Sequence, residues 1–412
     1  MLKESINKSQ HISIGTVNSV MLLSDTMILI AVIWQALELG ITKLHIGGIM
    51  STMAIVPWLL IKLFPRLKGY SRSEPTQFFV WVRLVSLILL VGVWTAFYQN
   101  KIIALYLIAF ISSGMSYYSN QIMETLFSYL VIGKHLSPQS SSRALQTHIQ
   151  IGSFGGALLG GLIMSDSNFE VAFYFLLGLS SLGLFYKTVY NRIFVNIKQV
   201  NSSPIKEKVA SEKPVLSAEK NSNNPLFFFM ATGIAAITCQ VGAFNFSIPI
   251  YLQEVKNWNA SVYGLMSAFA GFGALFASFP QIRIALVVPF SLVFILDYLL
   301  IQSNNSYLSF GLCFILGFSV NYIRIRLREV ILSQIENHTE AAEWSERCNT
   351  MSFIARTGFP VVLAVLLSSF DFLSIGNVFV YCGLIISLFL FASYYPIKIL
   401  QNKKTLKTKE II

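Results

Sequence analysis

Three carboxylates lie within long apolar stretches of the chain, where a charged side chain is costly. Asp25 falls near the centre of the first stretch, Glu124 lies towards the end of the fourth, and Asp297 is central in the ninth. Such groups normally face the interior of a helix bundle or a wet cavity. Asp25 and Glu124 are therefore candidates for reversible proton binding. The alternative for Asp25 is an ion pair with Arg83, and we expect Asp297 to be structural.

Four arginines in the tenth and eleventh apolar stretches form a second candidate site. Arg324 and Arg328 are four residues apart and share one helix face, whereas Arg326 points elsewhere and can pair with Glu329. Arg356 adds to the group if it faces the same space. Guanidinium groups bind carboxylate or phosphate through two parallel hydrogen bonds, which predicts a site for an anionic solute. The alternative is that these arginines lie at a membrane surface among lipid phosphates.

Other kinds of chemistry lack their usual signatures. The sequence has no P-loop, no HExxH and no convincing Ser/His/Asp array, so a nucleotide-driven pump and a membrane enzyme are both disfavoured. Its four cysteines form no CxxC motif and no Cys/His cluster, which disfavours a metal site or a disulfide framework, and we expect no cofactor. These cysteines lie within or beside apolar stretches: Cys239, Cys313, Cys348 and Cys382.

The composition is that of a membrane protein. Of the 412 residues, 54% are hydrophobic and only 12% are charged, and the mean hydropathy is +0.63. Soluble globular chains are about 25% charged. The first apolar stretch, from about residue 12, is too long for the core of a signal peptide and indicates a retained first helix.

Twelve stretches are long enough to cross a bilayer, which takes about 20 residues of helix. They predict an all-α polytopic membrane protein with 12 transmembrane helices. The predicted spans are 12–38, 43–64, 77–97, 102–132, 142–164, 169–191, 225–253, 259–280, 284–302, 307–334, 346–369 and 373–397.

The distribution of charge predicts the orientation. Basic residues concentrate on one side of the predicted bundle: Arg66, Lys68, Arg72, Lys134, Arg143, Lys187, Arg192, Lys398, Lys403, Lys404, Lys407 and Lys409. The other side holds Asp166, Glu170, Glu254, Asp371 and few basic residues. This positive-inside pattern predicts cytoplasmic N- and C-termini in a bacterial inner membrane. It also accounts for most of the +11 net charge without a nucleic-acid partner.

A polar segment over 193–224, rich in lysine and glutamate, divides the spans into six and six. We expect an N-terminal half over 1–192, a cytoplasmic linker over 193–224, a C-terminal half over 225–399 and a cytoplasmic tail over 400–412. The halves also match locally: the segment that begins at Gly114 in span 4 corresponds to the one that begins at Gly317 in span 10. Repeated halves of this kind place a substrate site between them near the midplane.

A glycine series in span 5 carries the most specific resemblance. Gly152, Gly156, Gly160 and Gly161 match the motif g-x-x-x-G-P-x-x-G-G, with Ala157 in place of its proline. With the layout of six plus six spans, the chain resembles the major facilitator superfamily over about residues 10–400. In that family the motif marks exporters that exchange substrate for protons. Such spacing also produces a groove for close helix contact. The alternative is that the glycines form only such a contact and say nothing about the direction of transport.

The loop between spans 2 and 3 departs from the family pattern G-x-x-x-D-R-x-G-R-R. Its segment 63–72 keeps basic residues and one glycine but lacks the aspartate. The resemblance implies a central cavity lined by spans 1, 4, 7 and 10. Uncharged polar residues on those spans are therefore substrate-cavity candidates: Asn120, Gln121, Gln240, Asn245 and Asn321.

Together these features predict a proton-coupled secondary transporter that exports a small anion, and the resemblance implies that it is a monomer. The resembled family has a branch that exports siderophores. A siderophore with carboxylate groups is an anion that the arginines could bind. A multidrug antiporter is the main alternative, and it predicts an aromatic cavity with one acid and with Arg324 and Arg328 outside it. Import, lysolipid transfer and, least of all, membrane enzymology are further alternatives. The expected partners are a small-molecule substrate, protons and membrane lipid.

Overall fold

The computed structural model describes residues 2–63, 75–132, 136–166, 168–185, 225–279, 284–332, 338–370 and 374–409. These ranges contain twelve α-helices and no β-strand. The helices are α1 (Leu2–Glu38), α2 (Lys43–Leu63), α3 (Pro75–Ala96), α4 (Lys101–Ile132), α5 (Pro138–Met164), α6 (Phe169–Leu182), α7 (Pro225–Glu254), α8 (Ala260–Phe276), α9 (Val287–Gln302), α10 (Ser306–Leu332), α11 (His338–Ser369) and α12 (Ile375–Lys409).

The prediction of an all-helical, twelve-helix membrane protein is confirmed. Within the described residues, seven helices are long and apolar enough to cross a membrane, and three more are apolar but shorter. The first and last helices extend beyond the predicted spans 12–38 and 373–397, because polar residues with good helix propensity continue each helix past its apolar part. Residues 64–72 and the linker 193–224 lie outside the described residues.

One set of packing contacts occurs twice. In the first six helices, α1 packs on α4, α5 and α6, and α4 packs on α2 and α3. In the last six, α7 packs on α10, α11 and α12, and α10 packs on α8 and α9. The pair α3 and α6 likewise has its counterpart in α9 and α12. These pairings of the N-terminal set of helices, α1–α6, are therefore repeated in the C-terminal set, α7–α12.

The two sets meet through α5 with α8 and α10, and through α11 with α2 and α4. We call the side at which α1 begins the amino-terminal face. At the opposite face, Lys43 Nζ lies 2.7 Å from Glu254 Oε2. Towards the amino-terminal face, the Ser142 hydroxyl donates to the carbonyl of Ile325 at 3.1 Å. Contacts thus join the two sets near both faces.

Apolar side chains cover the outside of the bundle. Large residues on α3, α6, α9 and α12 are exposed there, including Trp81, Ile88, Tyr174, Phe175, Tyr298 and Ile385. Contiguous apolar surface of this extent is unfavourable in water but suits lipid. The polar side chains of the candidate site lie between the helices instead.

Candidate functional site

A central cavity lies between the two sets of helices. Its walls come from α1, α5, α7, α8, α10 and α11. Apolar side chains make up much of the wall, including Leu29, Ile30, Phe154 and Phe244. The polar lining consists of Thr26, Gln150, Ser153, Gln240, Asn245, Ser267, Asn321, Arg324 and Arg356. None of the described residues that line this cavity is acidic.

Two arginines give the cavity a positive charge. Arg324 on α10 donates from Nη2 to the hydroxyl of Thr238 at 3.2 Å, and Arg356 extends from α11. Among the described residues, neither guanidinium has a carboxylate within 4.0 Å. Both side chains are partly exposed. They can therefore offer hydrogen-bond donors and positive charge to a solute in the cavity.

Amide side chains connect the walls of the central cavity. Gln150 donates from Nε2 to Asn321 Oδ1 at 3.4 Å, which joins α5 to α10 across the two sets. Asn321 donates in turn to the carbonyl of Ala274 at 2.7 Å. Asn245 accepts a hydrogen bond from the Tyr263 hydroxyl at 3.3 Å. These bonds fix the amide orientations, and the cavity wall is therefore preorganised.

Glu124 and Arg328 form an ion pair between the N-terminal and C-terminal sets of helices. Their side chains are only 7% and 12% exposed, and they line a smaller pocket with Phe127 and Trp344. The expectation that Arg328 lines the central cavity is not met. Arg328 lies one helical turn beyond Arg324 on α10, where it reaches α4 instead of the cavity. The Arg326–Glu329 pair expected from the sequence is present at 3.0 Å.

Asp25 lies in a polar cluster inside the N-terminal set, away from the central cavity. Its two carboxylate oxygens accept hydrogen bonds from Arg83 Nη1 and Nη2, each at 2.8 Å. Arg83 also donates to Ser119 at 2.7 Å and lies over the ring of Phe79, 5.3 Å from its centroid. The pairing with Arg83 named above as the alternative is thus present, and a proton role for Asp25 remains a prediction.

Asn120 and Gln121 are not among the residues that line the central cavity. Asn120 donates to the carbonyl of Ser116 at 2.8 Å on its own helix, and the Gln121 carbonyl accepts from Thr125. No residue of α4 is among those that line this cavity, and α4 packs against α1, α2, α3, α5 and α11. Helices α5, α8 and α11 line the cavity together with α1, α7 and α10.

A family model described as Major Facilitator Superfamily matches residues 14–325. The chain belongs to this superfamily. Three solved structures share its fold: the human organic anion transporter MFSD10 (12% identity, 93% of this chain and 99% of that chain, TM-score 0.61), the nucleoside transporter NupG (11%, 94% and 99%, 0.61) and a bacterial homologue of the iron transporter ferroportin (14%, 92% and 99%, 0.57). No curated protein sequence matches the chain.

The superfamily assignment makes the chain a multi-pass membrane transporter that binds small-molecule substrates, and not an enzyme. At 11–14% identity, the similar structures show the fold alone. They are named as transporters of an organic anion, a nucleoside and iron, so the fold itself does not select a substrate. The substrate must therefore be inferred from the side chains that line the cavity.

The glycines of span 5 allow a close contact between α5 and α1. A Cβ at Gly152 would lie 2.6 Å from the carbonyl oxygen of Ser19, and one at Gly160 would lie 2.8 Å from that of Met27. A Cβ at Gly156 would meet the carbonyl oxygen of Leu23. The glycines and the carbonyls thus share a four-residue spacing, which holds two helix backbones in contact.

Gly161 faces the other set of helices. A Cβ there would lie 2.6 Å from Cα of Gly264 on α8 and 2.8 Å from the carbonyl oxygen of Ala260. Ala157, which replaces the proline of the family motif, lines the central cavity. The glycine series therefore contacts α1 through three glycines and α8 through the fourth.

Sequence reasoning missed four polar cavity residues, Thr26, Gln150, Ser153 and Ser267. A signal was present in α5, because Gln150, Ser153 and Ala157 follow the spacing of one helix face. In α8, Ser267 stands on the same face as Ala270, Gly271 and Ala274, all of which line the cavity. Attention to polar and small residues on one face of these two helices would have found Gln150, Ser153 and Ser267.

Proposed function

We propose that this transporter exports a small anionic metabolite, such as a carboxylate siderophore, in exchange for protons across a bacterial inner membrane. It acts as a monomer, with both termini in the cytoplasm. The observation that carries the proposal is the central cavity between the two sets of helices. Arg324 and Arg356 line it, and no described lining residue is acidic.

The charge of this cavity favours an anion over a hydrophobic cation. A guanidinium group that is only partly exposed and has no counter-ion lacks a partner for its charge, and an entering carboxylate supplies one while accepting several hydrogen bonds. Amides on the same walls add donors for further oxygen atoms. A multidrug antiporter would need an acid in the cavity and an aromatic lining, whereas Phe154 and Phe244 are the only aromatic residues among the described lining residues.

The ion pair between Glu124 and Arg328 supports proton coupling. It joins α4 of the N-terminal set to α10 of the C-terminal set. A proton on Glu124 removes its charge and releases Arg328, which weakens the contact between the sets towards the amino-terminal face. Asp25 is the second coupling candidate, but a proton there would leave the fully buried Arg83 without its counter-charge, whereas Arg328 is 12% exposed. The geometry therefore favours Glu124.

The glycines that form the groove between α5 and α1 match the family motif of exporters that exchange substrate for protons. This match is their only support for proton exchange. The positive-inside distribution of lysine and arginine supports placing the amino-terminal face in the cytoplasm. The anion would enter the cavity from that face and leave at the opposite one. A proton entering from outside would then reset the carrier.

The proposal is tested by mass spectrometry of spent medium from cells with and without the gene, grown with scarce and with plentiful iron. We expect one anionic metabolite to disappear from the medium of the deletion strain and to accumulate inside its cells. If the two media match and only the susceptibility to added hydrophobic cations changes, multidrug efflux replaces anion export. If the metabolite accumulates outside instead of inside, the transporter is an importer.

A further inference from the structure

A second buried acid, Asp297 on α9, lies behind the wall of the central cavity. Its side chain is fully buried, and Nε2 of Gln240 donates to its Oδ2 at 2.5 Å. Gln240 extends from α7 and itself lines the central cavity. Among the described residues, no cation lies within 4.0 Å of this carboxyl group. Asp297 therefore differs from Asp25, which has Arg83 as its counter-ion.

Two oxygen atoms of this pair lack a hydrogen-bond donor. Oδ1 of Asp297 and Oε1 of Gln240 are both buried, and neither has a partner in the described part of the chain. Both are acceptors when Asp297 is ionised, so they cannot satisfy one another. A proton on the carboxyl group provides the missing donor. A neutral acid and a primary amide can then exchange two hydrogen bonds, one in each direction.

Within the described part of the chain, the surroundings of Asp297 supply no positive charge that would stabilise a carboxylate. Titratable groups that interact with it electrostatically are the thiols of Cys313 on α10 and Cys382 on α12. Thiols in an ordinary environment are mostly neutral at pH 7. The α12 backbone closes over the carboxyl group at Gly383, where an added Cβ would overlap Oδ2 of Asp297. An ionised Asp297 would be an isolated charge in a dry interior.

We propose that Asp297 is a proton-binding site, held as a neutral acid in a reciprocal hydrogen-bonded pair with Gln240, and that its proton sets how Gln240 faces the central cavity. When the proton is present, both polar ends of the Gln240 amide are engaged by the acid. When it leaves, the amide oxygen loses its donor and must turn to a partner on the cavity side. This inference deepens the proposed function, because it adds a proton site to the wall of the same cavity.

Infrared spectroscopy of the purified protein tests the proposal without any substrate. The chain has four aspartates, so protein grown with aspartate carrying ¹³C in the side-chain carboxyl has few labelled groups: Asp25, Asp166, Asp297 and Asp371. We expect a label-sensitive C=O band of a protonated carboxyl group near neutral pH. Asp297→Asn should abolish this band, and Asp166→Asn, the matched change at an exposed aspartate, should preserve it.

Asparagine at 297 can still exchange two hydrogen bonds with Gln240, so we expect that variant to fold. A second variant, Gln240→Leu, removes the partner of the acid and should move the band to higher frequency, because the carboxyl C=O loses its donor. If Asp297→Asn cannot be purified, retention of the band in Asp25→Asn, Asp166→Asn and Asp371→Asn assigns it to Asp297 by elimination.

Three results would overturn the proposal: no label-sensitive band at neutral pH, a band that persists in Asp297→Asn, or a band whose position Gln240→Leu does not change. The spectrum is independent of transport. A failure to find an exported anion would contradict the proposed function and leave the infrared result intact. A missing infrared band would contradict the proton site at Asp297 and leave anion export intact.

Discussion

The contact between α5 and α1 leads to a prediction about Gly156→Ala. An added Cβ would lie 2.9 Å from the backbone nitrogen of Met27 and 2.9 Å from Cβ of Thr26, and it would also meet the carbonyl oxygen of Leu23. Backbone atoms cannot rotate away as the end of a long side chain can. The two helices must therefore separate to admit one methyl group.

The expected cost follows from two opposing effects. Overpacking a well-packed interior costs about 1–3 kcal/mol. Replacing glycine with alanine within a helix recovers up to about 1 kcal/mol through helix propensity. We therefore expect a net loss of about 1–2 kcal/mol, which for a chain of 412 residues corresponds to an apparent Tm lower by about 1–2 °C. Transport should also slow if the two helices slide along this groove.

Thermal unfolding of the purified protein in detergent measures the effect. The matched control is Gly92→Ala on α3, where an added Cβ would have nothing within 4 Å. The control should keep or slightly raise the apparent Tm, because it gains helix propensity and makes no clash. Equal apparent Tm values for Gly156→Ala and Gly92→Ala, with unchanged transport, would refute the role of the glycine groove.

Three further predictions concern the ion pairs. Glu124→Gln leaves Arg328 without its partner, so anion efflux measured at two pH values should lose its pH dependence. A retained pH dependence would contradict the coupling role of Glu124. Asp25→Asn should lower the free energy of unfolding by about 3–5 kcal/mol, because Arg83 stays buried without a counter-charge. Adding Arg83→Leu should recover part of this loss. If Asp25→Asn alone is as stable as wild type, the pair contributes little to stability. Lys43→Gln breaks a pair whose side chains are 39% and 42% exposed, and its stability should change by only about 0–1 kcal/mol in the same unfolding assay; a larger loss would make this contact a principal connection between the two sets.

Much of the fold could be predicted from the sequence because a bilayer limits the possibilities. A helix must be long and apolar to cross the hydrocarbon, and that pattern gave the twelve helices with only their ends misplaced. The length of α1 and α12 beyond the membrane could not be predicted, since apolarity does not report where a helix ends in water. The segments that begin at Gly114 and Gly317 match in sequence, and the packing of the two sets of helices is repeated as well.

The cavity was predicted less completely. Gln240, Asn245, Asn321, Arg324 and Arg356 do line it. Asn120 and Gln121 were assigned to it from the family layout, and the contacts of α4 place both elsewhere.

Periodicity shows which residues share a helix face, but it does not show which neighbouring helix that face meets. Arg324 and Arg328 illustrate this limit. They share a face of α10, yet one enters the cavity and the other pairs with Glu124 on α4.

The most direct test of the central claim compares deletion strains that carry different versions of the gene. Wild type and Arg326→Gln, a change on α10 outside the cavity, should both return the missing anionic metabolite to the medium. Arg324→Gln and Arg356→Gln, made at equal expression, should fail to return it while the metabolite stays inside the cells. If all four versions restore it equally, the cavity arginines do not bind the exported solute, and the account of anion export through this cavity is wrong.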